Sequence, residues 1–382
     1  MANNDPEHSL WQKSLAEYCT KSEVDILVVS FLHKFGEGRL TSFDIANSGK
    51  DCIGYIPGTE LLNCPRMEAD IKFCQDNGKK VLLSLGGATP EYGLNSYEEG
   101  ESLADELWYT FGGGSDTNTF RPFGNASVDG FDLDIENGAK DGYPAFVNRM
   151  REHYAKETSK EYYIAAAPQC PFPDFFLGET LDSSWFDFIM IQFYNNYCNV
   201  INGEQFNYDI WDKWAKTSSV NKDVRLFVGV PGSPSAAGRG YVPFDKLVDT
   251  VKSLQELESF GGIMIWDVSQ AYGNTLDVSP SYAHGVARLI HGDKNEDDGL
   301  PMLSSSAPSL VISPASSSTD QAVLASATDA TKENNTPKGT TTAINTGKED
   351  TPSSNVNSNI SNNSVYGLTE YQAMDNVQMD IG

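Results

Sequence analysis

The sequence predicts an α/β fold, a (β/α)8 TIM barrel followed by a disordered tail, and three observations predict it. Short apolar runs alternate with amphipathic stretches up to residue 291, a pattern typical of parallel strands covered by helices. One predicted strand carries three carboxylates on a single face. From residue 292 the chain becomes rich in Ser, Thr, Asn, Asp and Ala. We therefore divide it into a barrel domain, 1–291, and a disordered stalk, 292–382, that cannot bury enough apolar area to fold.

The elements of the barrel domain follow from apolar spacing. Strands are predicted where apolar residues run together, and helices where they recur every three or four positions. Pro65 stands at a first helical position, and Asn77-Gly78 ends that helix. The predicted strands are 26–32, 80–85, 128–136, 162–169, 189–194, 226–230 and 262–266. The predicted helices are 9–20, 65–77, 102–111, 143–156, one around Trp211 and Trp214, 244–257 and 282–290. These are seven strands, whereas a closed barrel of this type has eight.

The strand 128–136 carries the chemistry. Side chains alternate across a strand, so Asp132, Asp134 and Glu136 share one face and apolar residues share the other. Burying three like charges is costly unless they share protons or hydrogen bonds. The acidic face must therefore line a polar cavity, with Glu136 at the carboxyl end of the strand, where barrels of this type hold their active sites. One alternative is a solvated strand edge with scattered acids. The other is a site for a hard cation, but a strand lacks the glycine turn and the ligand spacing of a Ca²⁺-binding loop.

Charge and composition exclude several classes of partner. The formal net charge of -26 argues against nucleic acid and anionic membranes. No apolar run reaches transmembrane length, and the first residues show neither a charged nor an apolar leader region. His33, His284 and His291 match no metal-ligand spacing, so we expect no metal and no cofactor.

The six cysteines form no CxxC pair. Their even number fits a set of disulfides, with fifteen possible pairings, and so an oxidising compartment. Six free thiols in a cytosolic protein are the alternative.

Asp129-x-x-Asp132-x-Asp134-x-Glu136 resembles the DxxDxDxE signature of family 18 glycoside hydrolases, the chitinases. Other segments narrow the resemblance to the short plant-type and yeast-type (class III) endochitinases, over about residues 8–291. These segments are 30–32, 84–88, 166–171, 192–196 and 262–267.

The resemblance implies a substrate, chitin or its oligosaccharides, and a retaining mechanism assisted by the substrate. Glu136 would protonate the glycosidic oxygen while the 2-acetamido oxygen of the sugar attacks the anomeric carbon, an exception to the usual two-carboxylate scheme. Asp134 would orient the acetamido N–H, and Asp132 would share a proton with Asp134. Tyr194 would donate its hydroxyl to the acetamido oxygen, unless it is simply a core aromatic residue.

Further positions follow from the same resemblance. Trp266 would form an apolar floor under a sugar, although a core tryptophan is the commoner role. Gly87 could equally be required for its backbone freedom. The expected substrate-binding residues are Gln192, Trp266, Phe31, Gly87 and Asn195. The implied disulfides are Cys19–Cys74, Cys52–Cys64 and Cys170–Cys198.

In this family a first strand with a Tyr-Trp-Gly-Gln-Asn segment precedes the first helix. This strand and a leader are both absent from the sequence. We therefore expect that the true translation start lies upstream of the assigned one; a genuine truncation is the alternative. We expect a monomer, outside the cell or in the cell wall, acting in fungal cell-wall remodelling. A chitin-binding or inhibitor protein without activity and an endo-β-N-acetylglucosaminidase are the competing functions.

Overall fold

The structure is a computed structural model and describes residues 12–45 and 52–292. The strands are β1 (Ile26–Lys34), β2 (Ser42–Phe43), β3 (Lys80–Gly87), β4 (Gly130–Ile135), β5 (Tyr163–Ala166), β6 (Phe188–Gln192), β7 (Arg225–Pro231) and β8 (Phe260–Trp266). The helices are α1 (Leu15–Cys19), α2 (Pro65–Asp76), α3 (Tyr97–Thr110), α4 (Tyr143–Lys156), α5 (Gly178–Ser183), α6 (Tyr208–Thr217), α7 (Phe244–Leu254), α8 (Val268–Gly273) and α9 (Tyr282–His291). The first helix, predicted over 9–20, begins only at Leu15, so the prediction is wrong for residues 12–14. Residues 9–11 of that helix and the predicted stalk from 293 lie outside the described residues.

The strands form one sheet in the order β2-β1-β3-β4-β5-β6-β7-β8. The seven strands predicted from the sequence pair in parallel and in chain order, with helices between them. The barrel architecture is therefore confirmed. The eighth strand, β2, is antiparallel and pairs only with the carboxyl end of β1. Two residues are too few to show a periodic pattern, so the sequence did not predict it.

One helix begins earlier than predicted, and two short helices were not predicted. Helix α3 begins at Tyr97 instead of 102, because the Ser96 hydroxyl accepts a hydrogen bond from the Glu99 N–H (3.3 Å) and caps the first turn. Helices α5 and α8 were not predicted, since each is six residues long and shows too little of the helical period.

Apolar side chains form two layers. The larger lies between the sheet and the helices, and Phe131 of β4 meets Phe146 of α4 there, with ring centroids 6.4 Å apart. The smaller fills the inside of the barrel with Leu82, Tyr163, Ala165, Ala167, Phe188, Met190 and Phe227. The acids of β4 share the inward face, so they lie in the barrel rather than against the helices.

The barrel is open along one side. No ladder joins β1 to β8 in the part of the chain that the structure describes. These two strands are only partly buried, whereas β3 to β7 are mostly buried. A cavity of about 990 Å³ runs along this side and is lined by both strands, by α9 and by Asp132 and Asp134. The interior of the barrel and its flank therefore form one continuous space.

Three disulfides join Cys19 to Cys74, Cys52 to Cys64 and Cys170 to Cys198. The predicted pairing is confirmed. The first links α1 to α2, and the third links the loops that follow β5 and β6. Within 12–45 and 52–292, no helix has the length and hydropathy needed to cross a bilayer.

Candidate active site

The acids of the motif are spread from the bottom to the mouth of the barrel. Asp132 and Asp134 lie within β4 and are buried, with 2% and 8% of their surface exposed. Glu136 follows the last residue of β4 and is only half-buried, so solvent and substrate can reach it. Asp129 precedes β4 at the opposite end of the barrel. Its carboxylate accepts hydrogen bonds from the Val81 N–H (2.8 Å) and from Lys160 Nζ (3.0 Å), which is a structural role.

Neighbouring strands supply the partners of the two buried acids. Ser84 lies beside Asp132 in the β3–β4 ladder, and its hydroxyl donates to Asp132 Oδ2 at 2.6 Å. Gln192 Nε2 at the end of β6 donates to Asp134 Oδ1 (2.7 Å) and to the Ala167 carbonyl (2.9 Å). The second oxygen of Asp132 has no hydrogen-bond partner among the described residues. Gln192, predicted as a substrate contact, thus holds Asp134 in place.

Asp134 and Glu136 are hydrogen-bonded through their side chains. This contact requires one of the two carboxyl groups to carry a proton. The proton shared between Asp132 and Asp134 stays a prediction.

Burial raises the pKa of all three acids. It brings the pKa of Asp132 to about 7, although the Ser84 hydroxyl acts in the opposite direction. The pKa of Asp134 is raised well above its usual range by burial and then by the charges of Glu136 and Asp132. Burial also raises the pKa of Glu136, against the hydrogen bonds from Gln192 and Asp134. A proton-bearing carboxyl group at the mouth is what a general acid needs near neutral pH.

Tyr194 stands beyond the end of β6 and is 7% exposed. Burial, followed by the nearby charges of Asp134 and Glu136, raises the pKa of its phenol well above 10. The phenol therefore stays protonated and can only donate to an oxygen placed beside these acids. The cavity that Asp134 lines is also lined by Tyr194 and Gln192.

Two aromatic residues occupy the opposite wall. Phe31 on β1 and Trp266 at the end of β8 stack with their ring centroids 5.7 Å apart and an interplanar angle of 27°. Both are half-buried and line the cavity. They present an apolar surface to the cavity, and the sugar contact expected of them stays a prediction.

The structure explains Gly87 and Asn195 differently from the prediction. Gly87 has φ +84°, and a Cβ there would lie 2.9 Å from the ring of Phe31. Its hydrogen atom leaves room for Phe31, so the backbone freedom considered as the alternative is part of its role. Asn195 also has a positive φ, and its side-chain oxygen accepts from the Arg239 N–H (3.2 Å). A sugar contact by either residue stays a prediction.

Sequence reasoning missed two residues that act on Glu136. Tyr92 is buried, and its hydroxyl donates to the Gly87 carbonyl (2.6 Å) and accepts from the Glu136 N–H (2.9 Å). It thereby joins the backbone at Glu136 to β3. Asp174, also buried, accepts from the backbone N–H groups of Gln169 (3.0 Å) and Leu177 (2.6 Å) and raises the pKa of Glu136 through its charge. Neither lies in a strand motif, so no sequence pattern indicated them.

The profile of glycosyl hydrolases family 18 matches residues 6–237. This chain belongs to glycosyl hydrolase family 18. The resemblance inferred from the acidic strand is confirmed.

Curated relatives of this family 18 chain include three fungal chitinases. It is 50% identical over 266 residues to Chitinase 2 of Rhizopus oligosporus, covering 69% of this chain and 47% of that protein. It is 46% identical over 270 residues to the endochitinase of Saccharomyces cerevisiae, covering 70% and 46%. It is 40% identical to the class III chitinase of Arthroderma benhamiae, covering 70% of this chain and 86% of that protein. The chain thus spans about half the length of the first two.

Solved structures with this fold include an enzyme and an inhibitor. A chitinase from Ipomoea carnea, ICChI, has a TM-score of 0.61 and 30% identity, covering 73% of this chain and 95% of its own. A xylanase and α-amylase inhibitor protein from Scadoxus multiflorus, XAIP-II, has the same TM-score and 32% identity, covering 74% and 94%. The family 18 fold therefore does not decide between catalysis and binding, and the site residues must.

Asp132→Asn tests the burial of the acid deepest in this family 18 site. A buried acid with a raised pKa keeps its proton in the folded state while the unfolded chain loses it, so wild-type stability falls as pH rises from about 4 to about 7. The asparagine cannot ionise. We expect it to gain up to roughly 4 kcal/mol over wild type at pH 7.5 and little at pH 3.5, an upper limit from a shift of about three pKa units. Denaturant unfolding at both pH values measures this, and a pH-independent difference would contradict it.

Tyr92→Phe tests the clamp on the backbone of Glu136. We expect kcat to fall about tenfold with little change in KM, because the lost hydroxyl frees the Glu136 N–H and loosens the acid without touching substrate. Tyr143→Phe is the matched control, since the Tyr143 side chain is buried and its hydroxyl has no hydrogen-bond partner within the described ranges. Equal losses in both variants, measured by steady-state kinetics, would rule out the clamp.

Proposed function

We propose that this chain is an endochitinase that cleaves β-1,4-linked N-acetylglucosamine polymers with retention of configuration. The observation that carries the proposal is the set Asp132, Asp134, Glu136 and Tyr194, which is complete and converges on the inner face and mouth of one barrel. The similarity to fungal chitinases supports it.

The residues divide the reaction between them. Glu136, whose pKa is raised by burial, donates its proton to the glycosidic oxygen as the bond to the anomeric carbon breaks. The carbonyl oxygen of the 2-acetamido group forms the new bond to that carbon, giving an oxazolinium ion. Asp134 accepts the acetamido N–H and balances the positive charge, while Tyr194 donates to the acetamido oxygen. The ionised Glu136 then takes a proton from a water molecule as that water attacks the anomeric carbon and opens the oxazolinium ring.

A non-catalytic binding protein is the second candidate, because the inhibitor XAIP-II shares the fold. An intact acid at the barrel mouth, with its partners in place, favours the enzyme. An endo-β-N-acetylglucosaminidase would use the same acids and differ in the substrate that the loops admit.

Incubation with chitohexaose separates these candidates. We expect shorter chito-oligosaccharides from internal cleavage, with the β-anomer first seen by proton NMR, and no release of N-glycans from a high-mannose glycoprotein. Binding of the hexaose without cleavage would favour the second candidate. Glycan release without hexaose cleavage would favour the glucosaminidase.

We further propose that the protein works outside the cell or in the fungal cell wall, as a monomer and without cofactor, nucleic-acid or membrane partner. The three disulfides support an oxidising compartment. Remodelling of wall chitin is the role we infer.

A further inference from the structure

The loops that follow β5 and β6 expose large apolar side chains beside the active site. Phe175 is 73% exposed, Tyr197 52%, Ile201 50% and Phe172 36%. We call these four residues the rim patch. Neighbouring exposed apolar residues on a folded surface are a common mark of a binding site.

The two loops are joined at two places. The Cys170–Cys198 disulfide links them, with the two Cα atoms 5.9 Å apart. Asn196 Nδ2 also donates to Gln169 Oε1 at 2.8 Å. Tyr197 lies between Asn196 and Cys198, so both of its chain neighbours are fixed to the β5 loop. The side chains are therefore presented by a rigid support, which lowers the entropic cost of binding.

Contacts with neighbouring residues hold Phe172 and Phe175 in place. The ring of Phe172 meets the buried ring of Trp211 edge-on at 4.9 Å. Lys140 Nζ donates to the carbonyl of Phe175 (2.6 Å) and lies 4.4 Å from the centre of its ring. Lys140 follows Glu136 by four residues on the β4 loop, so Phe175 stands next to the loop that carries the acid.

The rim patch adjoins the site on the wall opposite to Phe31 and Trp266. Strands β5 and β6 lie in the middle of the sheet order, and β1 and β8 lie near its two ends, so a curved sheet places them across the mouth from each other. Asp174, next to Phe175, is close enough to act on Glu136 through its charge. Glu136 therefore lies between an aromatic floor and the rim patch.

We propose that the rim patch binds the part of the polysaccharide chain on the leaving-group side of the cleaved bond. The inference rests on the proposed function and on the sugar-binding floor predicted for Phe31 and Trp266, on which the retained sugar would lie. Across the mouth from that floor, a polymer chain must continue over the β5 and β6 loops.

The chemistry of the patch fits a neutral polysaccharide. A β-linked pyranose shows a face of C–H groups, which packs on the flat faces of Phe and Tyr. The Tyr197 hydroxyl and the half-buried Asn196 side chain can accompany this contact with polar groups. Two cations near the patch are already engaged: Lys140 donates to the carbonyl of Phe175 and Arg239 to the carbonyl of Asn195, so an acidic polymer is not favoured.

The double substitution Phe175→Ala with Tyr197→Ala tests the proposal with substrates that do or do not reach the patch. Chitohexaose and colloidal chitin place sugars on the leaving-group side. A fluorogenic chitotrioside places only its dye there. We expect kcat/KM to fall about tenfold or more on the first two, as expected for the loss of two stacked rings, and to stay within about twofold on the trioside.

Phe120→Ala is the matched control, because Phe120 is 64% exposed on the loop before β4, at the other end of the barrel. It should leave activity on all three substrates unchanged. Equal rates of the double variant and wild type on the hexaose, or an equal loss on the trioside, would overturn the proposal.

A binding measurement keeps this result separate from the proposed function. In the Glu136→Gln background, titration calorimetry with chitohexaose should show about tenfold weaker binding when the two rim substitutions are added. If the wild-type protein cleaves none of the substrates, the proposed function is wrong. The titration still shows whether the rim patch binds the oligosaccharide. Unchanged binding, or no binding by either protein, would overturn it.

Discussion

Glu136→Gln is expected to lower the rate of chito-oligosaccharide hydrolysis by about 10³- to 10⁴-fold. Glutamine has nearly the same shape but no transferable proton, and the proposed reaction uses Glu136 first as acid and then as base. The backbone at this position is held by the Tyr92 hydroxyl, which the substitution does not touch. Single-turnover hydrolysis of a fluorogenic chitotrioside measures the loss.

Binding should survive this substitution. Tyr194, Phe31 and Trp266 keep their places, so titration with chitotriose should give an affinity within about threefold of wild type. If the glutamine variant cleaves at the wild-type rate, Glu136 is not the acid. A loss of both binding and thermal stability would mean that the substitution disturbed the fold instead.

Asp134→Asn is expected to cost about 100-fold in kcat. The asparagine keeps the hydrogen bond from Gln192 only if its oxygen stays in place, and it cannot balance the charge of the oxazolinium ion. Tyr194 would still orient the acetamido group through its hydrogen bond to the acetamido oxygen. We therefore expect a smaller loss than for Glu136, measured by steady-state kinetics on the same substrate.

Asp129→Asn is the control for Asp134, because it belongs to the same motif but binds Lys160 and the Val81 N–H at the other end of the barrel. It should lower the unfolding temperature and leave kcat of the folded protein unchanged. A large fall in kcat for Asp129→Asn, or none for Asp134→Asn, would reverse the assignment of the motif.

The sequence predicted the parallel strands and the acids because both depend on local patterns. Apolar runs define the strands, and the alternation along 130–136 places Asp132 and Asp134 on one inward face. The cysteine pairing could be predicted only through the family resemblance, since six cysteines alone leave fifteen pairings open.

The sequence did not reveal the contacts that hold these acids. Tyr92 reaches Glu136 across 44 positions, and the Gln192 side chain reaches Asp134 across 58. Such contacts depend on which loops meet at the mouth, and no periodicity records them. The short helices α5 and α8 and the strand β2 were missed for a related reason, because a few residues hold too little pattern to read.

The open side of the barrel affects the pKa values of the acids buried inside it. The cavity that borders Asp132 and Asp134 continues between β1 and β8 to the flank beside α9. Water that enters this space would lower the cost of ionising both acids, and a polypeptide that covered the flank would exclude it. The pKa values of the two acids would then rise further. Because the proposed reaction uses Asp134 as a carboxylate, closing the barrel would move the acidic limit of catalysis to higher pH.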